Sequence, residues 1–156
     1  MAMAPSSMRK HGYVLVRDPQ DRRITGIVTA SDLSLQFQQL AEPFLLLREI
    51  ELHIRQLLQD EVSSGDFEWL ASADTAMPKS ISDLSFGGYI RLLQRPQVWA
   101  RLALNIDQAS LTTQLEEVRQ IRNDVMHFDP DPMTGKQLDV LKNAAKFMQQ
   151  LYELLP

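Results

Sequence analysis

The sequence predicts a mainly α-helical protein that opens with a small β-hairpin. Beyond residue 43 the apolar residues recur at spacings of three and four, the period of a helix. Before it lie two short β-type runs, Tyr13-Val14-Leu15-Val16 and Ile24-Thr25-Gly26-Ile27-Val28-Thr29. They flank Asp18-Pro19-Gln20-Asp21, whose Pro and Asp residues supply the backbone angles and local hydrogen bonds of a turn. The chain has 156 residues, 44% of them hydrophobic, and a net charge of −4. That fills one core and argues against disorder, yet falls short of a barrel of about 250 residues.

After the hairpin, Ser31 is the expected N-cap of a helix carrying Leu33, Leu35, Phe37 and Leu40, which Pro43 interrupts or restarts. Leu47, Ile50, Ile54, Leu57 and Leu58 mark the next helical face, with Glu51 and Arg55 as an i,i+4 pair. Residues 63–79 are turn-rich, but Phe67, Trp69 and Leu70 suggest a short packed turn. Ser80 and Asp83 have capping-box spacing ahead of a helix with Ile90, Leu92 and Leu93, which Pro96 stops. A short helical piece covers residues 98–104. A long helix follows from Asp107 or Ser110 to Phe128, where Asp129-Pro130-Asp131-Pro132 ends it. The last helix, 135–155, aligns Leu138, Leu141, Ala145, Met148, Leu151 and Leu155. The division that follows is a hairpin-plus-helix segment, residues 1–42, and a helical domain, residues 43–156.

Composition narrows the function. No apolar stretch approaches the roughly 20 residues of a membrane helix, and the start carries no apolar run of signal-peptide length. There is no cysteine, so disulfides, thiol catalysis and cysteine-held metals are excluded and a reducing cytoplasm is the expected location. Residues 1–40 carry about +2 and the remainder −6. An acidic larger part argues against tight duplex DNA binding, but it leaves room for a focused RNA site. The histidines are scattered, with no pair at metal-helix spacing, and neither a metal nor a cofactor is expected.

The chemistry concentrates in Leu115 to Phe128, LEEVRQIRNDVMHF. Leu111, Leu115, Val118 and Val125 form an apolar stripe whose open position is Arg122, a residue that is costly to bury unpaired. Asn123 and His127 are four apart and so share a face, with Arg119 one turn earlier. Guanidinium, amide and imidazole together suit phosphate chemistry, because arginine grips phosphate oxygens bidentately and histidine as a residue type changes charge near neutrality. The competing reading is structural: Arg122 pairs with Glu49 or Glu51, and His127 closes the helix end.

Arg122-Asn123-Asp124-Val125-Met126-His127 resembles the arginine-polar-x-x-x-histidine motif of HEPN domains. Leu47-Arg48-Glu49-Ile50-Glu51 with Ile54-Arg55 resembles a first HEPN helix, and Asp83 to Leu93 with Trp99 resembles the second-helix segment of one HEPN branch. The resemblance covers residues 44–155. It implies a HEPN-like bundle that forms a homodimer, and a metal-independent endoribonuclease of the toxin or defence type acting on RNA. In that reading Arg122 stabilises phosphate charge, His127 is the general acid or base, and Asn123 holds the substrate or His127. Relatives with the same fold bind nucleotides or RNA without cutting, so a non-catalytic regulatory or dimerisation module is the alternative. Ile121 and Met126, off the stripe, are expected at the dimer surface.

Gly26-Ile27-Val28-Thr29-Ala30-Ser31-Asp32 resembles the closing motif of a CBS module. That resemblance implies an adenine nucleotide on Thr29 and Asp32. Only part of one repeat is present, so packing is the stronger expectation for this segment. The hairpin is expected to pack on the helix from Ser31 to Leu40 and on either the helical bundle or the equivalent segment of a second chain.

Overall fold

The computed structural model describes residues 11–71, 77–127 and 133–153. In chain order these form β1 (Tyr13–Arg17), β2 (Ile24–Thr29), α1 (Ala30–Leu58), α2 (Ser64–Leu70), a 3-10 turn (Ile81–Asp83), α3 (Phe86–Gln94), α4 (Pro96–Leu102), α5 (Gln108–Met126) and α6 (Gly135–Glu153). The protein is mainly helical with one two-stranded antiparallel sheet. No helix among the described residues is long and apolar enough to cross a membrane.

The hairpin pairs Tyr13 with Thr29, Leu15 with Ile27 and Val16 with Gly26, and a bulge separates Val16 from Arg17. Its loop is built by Asp18, whose Oδ1 accepts from the Gln20 amide at 2.7 Å. Arg22 adopts a left-handed φ of 59°, which closes the turn.

Three sequence expectations are corrected here. The cap of α1 is Thr29, not Ser31. The Thr29 amide and hydroxyl donate to Asp32 Oδ2 at 2.8 and 2.7 Å, and the Asp32 amide donates back to Thr29 Oγ1 at 3.2 Å. Capping follows that reciprocal pair, and Ser31 lies two residues too far into the helix to take part. Pro43 neither stops nor starts a helix: α1 runs through it for 29 residues. The proline forfeits one intrahelical bond, to the carbonyl of exposed Gln39, while Pro43 itself is buried. The helix from Ser31 to Leu40 does not bury the hairpin's apolar face, since every residue from 31 to 40 is exposed, Phe37 and Leu40 by 73% and 71%.

The chain divides into two compact units, Met1–Glu42 and Pro43–Pro156. The second unit holds the core. α1 contributes Leu47, Ile50, Ile54, Leu57 and Leu58; α3 contributes Phe86, Tyr89, Ile90, Leu92 and Leu93; α5 contributes Leu111, Leu115, Val118 and Ile121; α6 contributes Leu141, Ala145, Met148 and Leu151. α3 packs on α2, α4 and α5, and α5 packs on α6. Gly88 permits the entry to α3, since a Cβ there would lie 3.3 Å from Leu84 Cβ.

Caps set the helix starts. Ser80 and Asp83 do form a box, but it closes the 3-10 turn; Ser85 caps α3 by accepting the Gly88 amide at 3.2 Å. Pro96 ends one helix by serving as the first residue of the next. Asp107 caps α5, accepting from the Ser110 amide at 2.7 Å and hydroxyl at 2.6 Å. Thr134 and Gln137 cap α6 reciprocally. The expected stop at Asp129-Pro130-Asp131-Pro132, with Phe128 and Leu155, lies outside the described residues.

Because the core residues all belong to the second unit, removing residues 1–40 is expected to leave a folded bundle with its helical circular dichroism retained. Loss of cooperative thermal unfolding in that truncation would place the hairpin in the core instead.

Candidate active site at the end of α5

The buried stripe of α5 takes a different course from the one expected. Position 122 is not its gap. Ile121, 4% exposed, continues the series Leu111, Leu115 and Val118, and half-buried Val125 follows it. Fourteen residues in four steps make a 3.5-residue repeat on a 3.6-residue helix, so the stripe drifts by about 20° per heptad toward Ile121. Arg122 is left at its margin, half-buried, and Ile121 belongs to the core and is no part of a dimer surface. Met126 is 45% exposed, as that expectation required.

The structural pairing for Arg122 does not form. Glu51 instead bonds Arg55 at 2.6 Å, and Arg119 takes Glu116 through Nε and Nη2 at 2.9 and 2.6 Å. That pairing holds the Glu116 carboxyl below the usual range. Among the described residues Arg122 has no hydrogen bond or ion pair, so its guanidinium is available to an anion. Asn123 is half-buried, and its carbonyl accepts the His127 amide at 2.9 Å. His127 is the exposed C-cap of α5, with φ −86° and ψ 4°. One helix end therefore carries an unpaired guanidinium, an amide and an accessible imidazole within two turns. The geometry allows phosphate binding at Arg122 and proton transfer at His127, each on a side chain that nothing in the bundle consumes.

Three grooves formed by described residues lie elsewhere and are lined by none of the three.

Thr29 and Asp32 are brought together by the α1 cap, not by an anion cradle. The Thr29 amide, and then its hydroxyl, hold the Asp32 carboxyl below its ordinary value. Both groups that a nucleotide would engage are already each other's partners. Millimolar AMP or ATP is therefore expected to leave the melting temperature within about a degree of the ligand-free value. A rise of several degrees that Asp32→Ala abolishes would restore a nucleotide site here.

Sequence reasoning missed one polar centre. Asp66, 2% exposed, accepts the Ser63 amide and hydroxyl at 2.9 and 2.8 Å, and it pairs with Arg95 at 2.6 Å and Arg101 at 2.5 Å. Burial pushes its carboxyl up, but the Ser63 bonds and then the two guanidiniums outweigh burial and hold it low. The Ser63-to-Asp66 spacing of a capping box was visible in the sequence; the partners 29 and 35 residues away were not. A second centre is Tyr89, fully buried, which accepts from Arg55 Nε at 2.7 Å and donates to the Ile81 carbonyl at 3.2 Å. Phe86 and Tyr89 are core residues, and Trp99 is half-buried against the core.

Compared with known proteins, the chain matches no family model, no curated protein and no solved structure.

Proposed function

We propose that this protein is a metal-independent endoribonuclease of the HEPN type, acting as a homodimer, with Arg122, Asn123 and His127 as its site. The observation that carries the reading is Arg122: a half-buried arginine with no carboxylate partner among the described residues, at the end of the helix that also presents His127. In the reaction a ribose 2′-oxygen attacks the adjacent phosphorus while the bond from phosphorus to the 5′-oxygen breaks, leaving a 2′,3′-cyclic phosphate and a 5′-hydroxyl. His127 moves a proton at one of these oxygens, Arg122 stabilises the charge building on the phosphate, and Asn123 holds the substrate or His127.

In HEPN-like bundles the motif helices of two subunits share one cleft, so the reading includes a second copy of the chain across the site. Self-association is also favoured by Leu33, Phe37 and Leu40, an exposed apolar series at spacings of four and three on α1. Sedimentation is expected to show a dimer at micromolar concentration; a monomer would remove the composite site.

A second reading has its own support. The wholly exposed apolar residues between 31 and 40 suit a module whose work is docking. Under that reading the partial CBS-like segment and the bundle form a regulatory interaction protein that cuts nothing. Incubating the purified chain with total RNA in EDTA, beside Arg122→Ala, separates the two.

A further inference from the structure

Away from the end of α5, the described residues gather a second set of groups suited to RNA. Trp69, at the end of α2, is 47% exposed, an uncommon state for so large an apolar ring. Two guanidiniums stack on it, Arg91 at 5.7 Å and Arg95 at 5.0 Å from the ring centre. They are not equivalent. Arg95 is committed, through the same Nη1, to Asp66 and to the Gly65 carbonyl. Arg91 is exposed and has no carboxylate partner among the described residues, so its contact with Trp69 holds the guanidinium in place without neutralising it.

Arg91 also lines a groove of about 490 Å³ with Lys79, Leu70, Met77 and Gly88. Asp83 borders the same groove, but its Oδ2 is already bonded to the Lys79 and Ser80 amides and the Ser80 hydroxyl. An apolar floor, a cationic rim and an exposed indole offer one nucleotide unit a surface for its base and partners for its phosphate. A run of neighbouring residues connects the groove's helix with α5. Gly87 is one turn before Arg91 on the same face of α3, and a Cβ there would meet Arg119 Cδ at 3.7 Å. Arg119 is in turn one turn before Arg122 on α5.

We propose that Trp69, Arg91 and Lys79 form a docking groove for single-stranded RNA that leads along α3 toward Arg122. The inference rests on the ribonuclease reading for its direction, but binding in the groove is testable by itself. A fluorescein-labelled 2′-O-methyl oligonucleotide of roughly twelve nucleotides spans such a surface, and it cannot supply the attacking hydroxyl. Its anisotropy with the full chain therefore reports binding whether or not the protein cuts RNA.

Trp69→Ala is expected to weaken binding about tenfold. Arg91→Ala should weaken it several-fold and lower the slope of log affinity against log salt by about one. In a Trp99→Phe background, which leaves Trp69 as the sole tryptophan, the oligonucleotide should quench its emission. Arg48→Ala, which removes the same charge from an exposed position on α1, should change little. Absence of binding, absence of quenching, or equal losses for Arg48→Ala and Arg91→Ala would each overturn the groove. Binding and quenching by a protein that leaves ordinary RNA intact would uphold the groove and discard the ribonuclease.

Discussion

Arg122→Ala and His127→Ala are each expected to lower the rate of EDTA-resistant RNA cleavage by a factor of about 100 to 10,000, the range for losing a group that stabilises developing charge or transfers a proton. Neither change should disturb folding. Arg122 has no partner among the described residues, and His127 is an exposed C-cap whose structural tie, the amide bond to the Asn123 carbonyl, survives substitution. Circular dichroism and thermal unfolding of both variants should overlay the parent. The two losses should also fail to add, because residues that act in one step are not independent. If both variants cut RNA at the parental rate, the site is elsewhere.

The largest stability effect is expected at Asp66. Its side chain is 3% exposed, and it is the shared partner of Arg95 and Arg101, which are 19% and 38% exposed. Asp66→Asn keeps the size but leaves two guanidiniums partly buried without a counter-charge. Removing one member of a buried pair costs about 3 kcal/mol, which for a chain of this length lowers the melting temperature by roughly 10 °C.

The pH dependence has a definite sign. The folded-state carboxyl is held below its ordinary value, so its contribution is complete above the unfolded value of about 3.9 and disappears as pH falls through the lower folded value. The gap between parent and Asp66→Asn should therefore be constant at neutral pH and narrow on the acid side of about pH 4. A variant as stable as the parent, or a gap that widens in acid, would contradict the network.

How far the sequence revealed this molecule varied with the range of the interaction. The hairpin, the division near residue 43 and the helices were legible, because each rests on a local period or a turn residue. The cap of α1 was misplaced by two residues because serine and threonine are both good caps. Only the geometry shows Thr29 in reciprocal bonds with Asp32. Pro43 misled because proline's usual effect is a break, whereas α1 continues through it at the loss of a single bond.

The reading of Arg122 went astray in an instructive way. An ideal 3.6-residue wheel puts position 122 at the centre of the apolar face. The actual stripe repeats every 3.5 residues and turns aside to Ile121 before reaching it. The arginine stands beside the core and does not interrupt it. Asp66 was invisible for the opposite reason. Its spacing to Ser63 is local, but its two arginines arrive only when α2, α3 and α4 assemble.

The central claim is that the 2′-hydroxyl of RNA is the nucleophile and that Arg122 and His127 assist it without a metal. It is tested most directly by giving the purified chain matched RNA and 2′-O-methyl oligonucleotides in EDTA and identifying the new ends. The account predicts that only the RNA is cut, with 2′,3′-cyclic phosphate and 5′-hydroxyl ends, and that Arg122→Ala abolishes the cleavage. Intact RNA, equal cutting of the 2′-O-methyl strand, or undiminished cleavage by Arg122→Ala would contradict it.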